Sequence, residues 1–235
     1  MKKAIAALAI ALQALTASAQ ELTIVYQARY NTTSPQLFAE AGLPEAMRSS
    51  LAAAYKDVVM TYQLTLKGDE SEYRAVPGKE KQEIVFMGRT MDINAAVQAQ
   101  AKNYTYKNHA EGIMLEKTQL FGKDFIIADS LNGTPFTPAD GEKKEILGFE
   151  CLKAISSDGK TVIWYTPHIP VKDEPIATGL SGLALQIDNG QQVFTAVQVA
   201  DSTSLTITRP TGEKTVTRNE FAEYAKRRVE MMKRN

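Results

Sequence analysis

Short β-branched or aromatic runs, separated by turns of hairpin length, recur along most of this chain. That spacing restricts the sheet it can build. Leu22-Thr23-Ile24-Val25-Tyr26 reads as the first strand. From Asp57 the pattern has period two: Val58, Met60, Tyr62, Leu64 and Leu66 form the apolar set, against Val59, Thr61, Gln63 and Thr65. Lys67-Gly68-Asp69 turns the chain into a partner strand over residues 71–76. Further strands are expected at 104–106, 113–119, 124–130, 145–149, 151–156 and 161–166. Residues 183–187 and 193–199 flank Asn189-Gly190, a strong hairpin signal, and 205–208 reads as the last strand. Asn132-Gly133 and Ser157-Asp158-Gly159-Lys160 supply two more turns. Strands joined by such short links cannot be parallel neighbours, so the sheet is expected to be mostly antiparallel.

Helical periodicity enters in two places. Ser34-Pro35 has the form of an N-cap followed by Pro at the first helical position. Leu43, Met47, Leu51 and Tyr55 then put one apolar stripe on one face, giving a helical insert near residues 35–56. At the far end, Thr217 and Glu220 have capping-box spacing. Phe221, Tyr224, Ala225, Val229 and Met232 follow as a stripe, with the Phe221-Tyr224-Val229 set expected to pack. The Ala- and Gln-rich residues 90–102 read as a mobile excursion. With no internal repeat and no low-complexity linker, residues 20–235 form a single β-rich domain. The expected class is mainly β (α+β): a large, curved, half-barrel-like antiparallel sheet with a helical insert and a C-terminal helix.

Residues 1–19 have the layout of a cleavable secretory signal. Lys2 and Lys3 precede an apolar run broken only by Gln13, and Ala17-Ser18-Ala19 is a small-x-small cleavage site. The apolar run is shorter than the ~20 residues a membrane-spanning helix needs. The expected location is therefore the periplasm, or outside the cell or on its surface, with membrane contact at most peripheral. The formal net charge is +0, so the chain has no global field to attract nucleic acid. The single cysteine, Cys151, allows no internal disulfide and reads as a buried thiol.

Three segments of the second half carry a family resemblance. Ile146-Leu147-Gly148-Phe149-Glu150-Cys151-Leu152-Lys153-Ala154 has the form I-x-G-[YF]-x-C-x-K-A. Trp164-Tyr165-Thr166-Pro167-His168-Ile169-Pro170 has the form W-[YF]-T-x-x-I-P. Gly179-Leu180-Ser181-Gly182-Leu183-Ala184 aligns with Gly-Leu-Pro-Gly-Leu-Ile. In order and spacing these segments resemble the GLPGLI family, a secreted family of Bacteroidota without an established activity. The resemblance spans roughly residues 144–199 and departs at Ser181 and Ala184. It implies a β-rich exported domain similar to half-barrel lipoprotein carriers, and it carries over no catalytic residue.

Few residues invite chemistry. His109 and His168 are the only histidines, and with one distant cysteine they do not make a zinc set. Neither a phosphate-binding glycine loop nor a serine nucleophile elbow occurs. No cofactor, no metal and no catalytic residue is expected, and the chain is read as not an enzyme. The candidate ligand or partner surface is Trp164, Tyr165, Pro167, His168, Pro170, Gly179, Leu180 and Gly182. The prolines there cannot continue an interior ladder, and the glycines permit a turn or a close backbone approach. Basic residues gather in the last turns of the C-terminal helix, where they complement its dipole. Asp129-Ser130-Leu131 and Asp201-Ser202-Thr203 match a three-residue O-glycosylation pattern. The leading expectation is a non-catalytic binding protein for a lipid or other apolar or amphipathic ligand. The alternative is an interaction module for an envelope protein that uses the Trp164 edge, and the least favoured is a thiol- or His-dependent enzyme.

Overall fold

The computed structural model describes residues 21–35, 37–39, 43–131, 135–171, 180, 182–202, 204–212 and 214–234. Residues 1–19, expected to be a signal, and Asn132-Gly133, Gly179, Ser181 and Thr203 lie outside them. In chain order the elements are β1 (Glu21–Tyr30), α1 (Glu45–Ala54), β2 (Val59–Lys67), β3 (Glu70–Val76), β4 (Glu83–Phe86), β5 (Arg89–Asp92) and α2 (Ile93–Ala99). Then come β6 (Tyr104–Asn108), β7 (Ile113–Leu120), β8 (Lys123–Ser130), β9 (Phe136–Ile146), β10 (Phe149–Ser156), β11 (Val162–Thr166), β12 (Leu183–Asp188), β13 (Gln192–Asp201), β14 (Thr215–Thr217) and α3 (Arg218–Arg234).

Twelve strands form one sheet in the order β14-β8-β7-β6-β3-β2-β1-β13-β12-β11-β10-β9. β4 and β5 form a separate hairpin. The fold is mainly β, as the turn spacing dictates, and the sheet does not close into a barrel: β9 and β14 are its edges. All pairings in it are antiparallel except one, since β14 lies parallel to β8. The three family-like segments occupy neighbouring strands, with Leu152 opposite Tyr165 and Tyr165 opposite Ala184.

The sheet folds on itself at a short junction. β1 and β13 pair over most of their length, from Leu22↔Asp201 to Tyr30↔Gln192. β12 pairs with β13 only at Gln186↔Thr195, Ile187↔Phe194 and Asp188↔Val193. Beyond that point β12 leaves its neighbour. Leu22, Ile24, Tyr26, Leu64 and Leu66 from one half then meet Ile146, Cys151, Ile169, Leu183 and Leu185 from the other as a single buried core. The Tyr26 hydroxyl crosses the junction and donates to the Ala184 carbonyl at 2.8 Å. A second cluster, Ala154, Ile163, Tyr165, Leu180, Ala184 and Ile187, covers the opposite face of β10 to β12.

Several sequence expectations need correction. Residues 205–208 are not a strand. They run as an irregular segment pinned by Lys67 Nζ to the Leu205 carbonyl (2.9 Å) and by Tyr104 OH to the Thr208 carbonyl (3.1 Å). The last strand is β14. The break between the strands expected at 145–149 and 151–156 falls at Leu147-Gly148. Both residues have positive φ, as the tightest hairpin turns require, so Phe149 and Glu150 belong to β10. β9 also begins at Phe136, earlier than expected. Residues 90–102 are no loose excursion: β5 ends in α2, where the Asp92 carboxylate accepts from Ala95 N at 3.1 Å and Ile93 and Val97 are buried. After Ser34-Pro35 the described residues form turns, and the helix of the insert starts at Glu45. The capping box exists as expected, with Thr217 N donating to Glu220 Oε2 at 2.7 Å and Glu220 N to Thr217 Oγ1 at 3.2 Å. α3 packs through Phe221 and Tyr224 against Phe125, but Val229 is 43% exposed. Arg228 instead lies over the Phe121 ring at 5.6 Å, because positions 221, 224, 225 and 228 follow the helical period better than 229 does.

Candidate binding surfaces

The structure splits the surface expected from the sequence. Trp164 and Tyr165 alternate on β11, so they point to opposite faces. Tyr165 is buried with Ile163 and Leu180. Trp164 is half-buried at the margin of the main core. It sits opposite Lys153 on β10 and Gln186 on β12. Lys144 Nζ and Lys153 Nζ lie 5.6 and 5.9 Å from its ring centre. Lys144 also donates to Gln186 Oε1 (2.7 Å), Gln186 Nε2 to Thr195 Oγ1 (2.9 Å), and Lys153 to Glu142 Oε1 (2.8 Å). The result is an indole bordered by a hydrogen-bonded polar frame.

The segment after β11 is a plug with an exposed rim. Ile169 is fully buried in the core, and its carbonyl accepts from Leu183 N at 3.1 Å. Pro167, His168 and Pro170 are exposed around it. Leu180 and Gly182 are buried, and Gly179 lies outside the described residues. An added Cβ on Gly182 would lie 2.3 Å from the Thr166 carbonyl oxygen, so this glycine serves close backbone approach between two of the family-like segments.

An aromatic group that sequence reading missed lies on the core face of the other half. Tyr62 of β2 stacks on Tyr73 of β3 (ring centres 5.4 Å apart, planes 8°) and meets Phe194 of β13 at 5.4 Å. Tyr30 at the end of β1 meets Tyr55 at 4.8 Å and Phe38 at 5.7 Å. All six rings are half-buried. Burial pushes the Tyr30 phenol up to about 12, and the neighbouring Tyr55 and Tyr62 add to the effect. Burial raises Tyr55, Tyr62 and Tyr73 as well. These phenols stay neutral, each an apolar ring with one polar tip. Tyr55 and Tyr62 were visible on apolar stripes. Their convergence was not, because it depends on which strands become neighbours.

The remaining candidates are quickly placed. Cys151 is buried, and desolvation pushes its thiol up to about 11, which disfavours the thiolate. Among the described residues no His, Cys, Asp and Glu side chains gather as a metal set, and no helix is long and apolar enough to cross a membrane. Asp129 and Ser130 are exposed at the end of β8, where Asp129 Oδ2 meets Arg218 Nε at 3.4 Å.

Among curated proteins nothing matches. Two solved structures of PNGF-II, in C2 and P21 space groups, share the fold with TM-scores of 0.57 and 0.53 at 17% identity. Each similarity covers 88% of this chain and 33% of that one, so the chain spans about a third of the length of those structures. The family described as N-glycanase peptide, N-terminal domain, matches residues 79–224. That stretch runs from the β4–β5 hairpin through the folded junction to the first turns of α3, and this chain belongs to that family.

Proposed function

We propose that the chain is an exported, non-catalytic binding domain whose ligand is amphipathic. The observation that carries this reading is a set of six half-buried rings: Tyr30, Tyr62, Tyr73 and Phe194 on the core face of one sheet half, with Phe38 and Tyr55 packed against Tyr30 from the turn after β1 and the end of α1. Rings left partly uncovered retain apolar area to bury, at about 25 cal/mol per Å². Their neutral hydroxyls supply polar contacts at the same place. Export by residues 1–19 and kinship with the GLPGLI proteins belong to the same proposal. The adjacency of the three motif segments in β9 to β12 supports that kinship. Nile red titration tests the binding. The wild-type protein enhances the dye's fluorescence, and Tyr62→Ala weakens binding about tenfold, the loss of ~1.4 kcal/mol expected for one such contact. Equal binding by both proteins overturns the reading.

A second reading rests on Trp164. Its frame of Lys144, Lys153, Glu142, Gln186 and Thr195, beside the exposed Pro167, His168 and Pro170, suits a protein partner at the cell envelope. The family's description as part of an N-glycanase makes a glycan-bearing peptide the natural form of that partner. Trp164→Ala then removes a co-purifying partner and leaves dye binding unchanged, whereas Tyr62→Ala does the reverse.

A further inference from the structure

We propose that one end of the sheet docks on an anionic lipid surface, with two apolar turns entering the headgroup layer and the cations of α3 beside them. This goes beyond the binding reading above and uses none of its six rings. Antiparallel pairing brings the end of β3, the start of β6 and the β7–β8 turn together at that end. The β4–β5 hairpin follows β3 there. Its base is tied to the start of β2, where Val59 N donates to Gln82 Oε1 (2.7 Å) and Gln82 Nε2 to the Val59 carbonyl (2.8 Å). Met87-Gly88 forms the tip of that hairpin, and Phe121-Gly122 turns β7 into β8. Tight hairpin turns usually put Asn, Asp or Gly where φ is positive, because a bulky side chain is strained there. Met87 and Phe121 each have φ 50° and are 72% and 41% exposed, so packing offsets little of that strain. At the opposite end of the same strands the β2–β3 and β6–β7 turns carry Gly68-Asp69 and Glu111-Gly112, the polar choice. Each apolar tip is followed by an exposed cation, Arg89 or Lys123, an order that suits the border between acyl chains and headgroups.

α3 adds the charge. It runs back along β8, from Phe221 and Tyr224 at Phe125 to Arg228 over the Phe121 ring, and so reaches the same end. Just past that ring Val229 and Met231 are 43% and 49% exposed. Over residues 226–235 the basic residues are Lys226, Arg227, Arg228, Lys233 and Arg234, against Glu230 alone. The whole chain has formal net charge +0, so this is a local concentration of one sign. Exposed apolar side chains grouped in this way mark a contact surface, and the charge beside them selects the partner. A second copy of this chain would set the same cations face to face, whereas an anionic leaflet attracts them.

The test sediments the full-length gene product, as its host processes it, with vesicles of phosphatidylcholine alone or with ~30% phosphatidylglycerol added. The wild-type protein is expected to bind the anionic vesicles at least ~10-fold more tightly. Raising the salt from ~0.1 to ~1 M shortens the screening length from ~10 to ~3 Å and is expected to remove most of that preference. Lys226→Gln and Arg227→Gln change exposed positions, and each is expected to weaken binding about fivefold. Met87→Asn and Met231→Gln remove exposed apolar side chains, and each is expected to weaken it about threefold. Equal binding to both kinds of vesicle, or binding to neither, overturns the inference. Undiminished binding in either pair of variants does so too, since docking needs the cations and the apolar side chains together. If sedimentation velocity without vesicles shows a dimer that Met87→Asn dissociates, the face belongs to a second copy and the inference fails. None of the four positions lies among the six rings, so failure here leaves the binding reading untouched.

Discussion

At Gly182 an added Cβ meets backbone, the Thr166 carbonyl at 2.3 Å, and backbone cannot rotate away as a side chain can. Gly182→Ala is therefore expected to destabilise the protein by more than ~2 kcal/mol in urea unfolding, among the larger single-site effects. Met87 presents the opposite case. It has φ 50° at the tip of the β4–β5 hairpin and is 72% exposed, so it accepts left-handed strain and contributes little packing. Met87→Asn should raise stability by roughly 1 kcal/mol, since asparagine tolerates that conformation and no buried area is lost. Cys151 was read from the sequence as a buried thiol, and it is one. Its raised pKa means that the fold favours the protonated form. That contribution is complete below the unfolded value near 9 and disappears as pH rises towards about 11. Iodoacetamide at pH 8 should leave the native protein unmodified and label it once urea is added. Labelling of the native protein would place the thiol at a surface.

α3 shows how local chemistry and tertiary contact divide an element between them. Thr217 and Glu220 exchange hydrogen bonds at its start, a match that spacing alone made legible. Thr217→Ala is expected to cost about 1 kcal/mol and to fray the first turn, visible as lost helical ellipticity. Hydrogen bonds from the Thr217 N–H and hydroxyl hold the Glu220 carboxyl below its ordinary value. Its support for the cap therefore exists above the unfolded pKa and is lost as pH falls through the lowered one. Which residues of the stripe are covered was not legible. Val229 and Arg228 are neighbours in sequence; the helical period favours 228, and the half-buried arginine covers the Phe121 ring while Val229 is exposed. α2 escaped sequence reading for a related reason. Seven residues rich in Ala and Gln carry too little periodicity, and the helix depends on the Asp92 cap and on burial of Ile93 and Val97 beside β3 and β5.

The whole molecule depends on its fold line between β12 and β13. Only three register pairs join the halves there, and the Tyr26 hydroxyl bridges them through the Ala184 carbonyl. Tyr26→Phe leaves that buried carbonyl without this donor, and a loss of about 1–3 kcal/mol is expected in thermal or denaturant unfolding. A fully stable Tyr26→Phe protein would show that core contact alone sets the angle. The amino-acid sequence by itself determined most of the long strands, though not β4, β5 or β14, together with the antiparallel pairing, the C-terminal helix with its cap and the burial of Cys151, because alternation, turn residues and capping are interactions between residues close in the chain. The tertiary structure alone decided the fold line, the parallel β14 and the meeting of Tyr62, Tyr73 and Phe194. Each of these depends on which strands lie side by side across long stretches of chain, and a one-residue bulge or the place where a pairing ends shifts those neighbours without a mark in local composition.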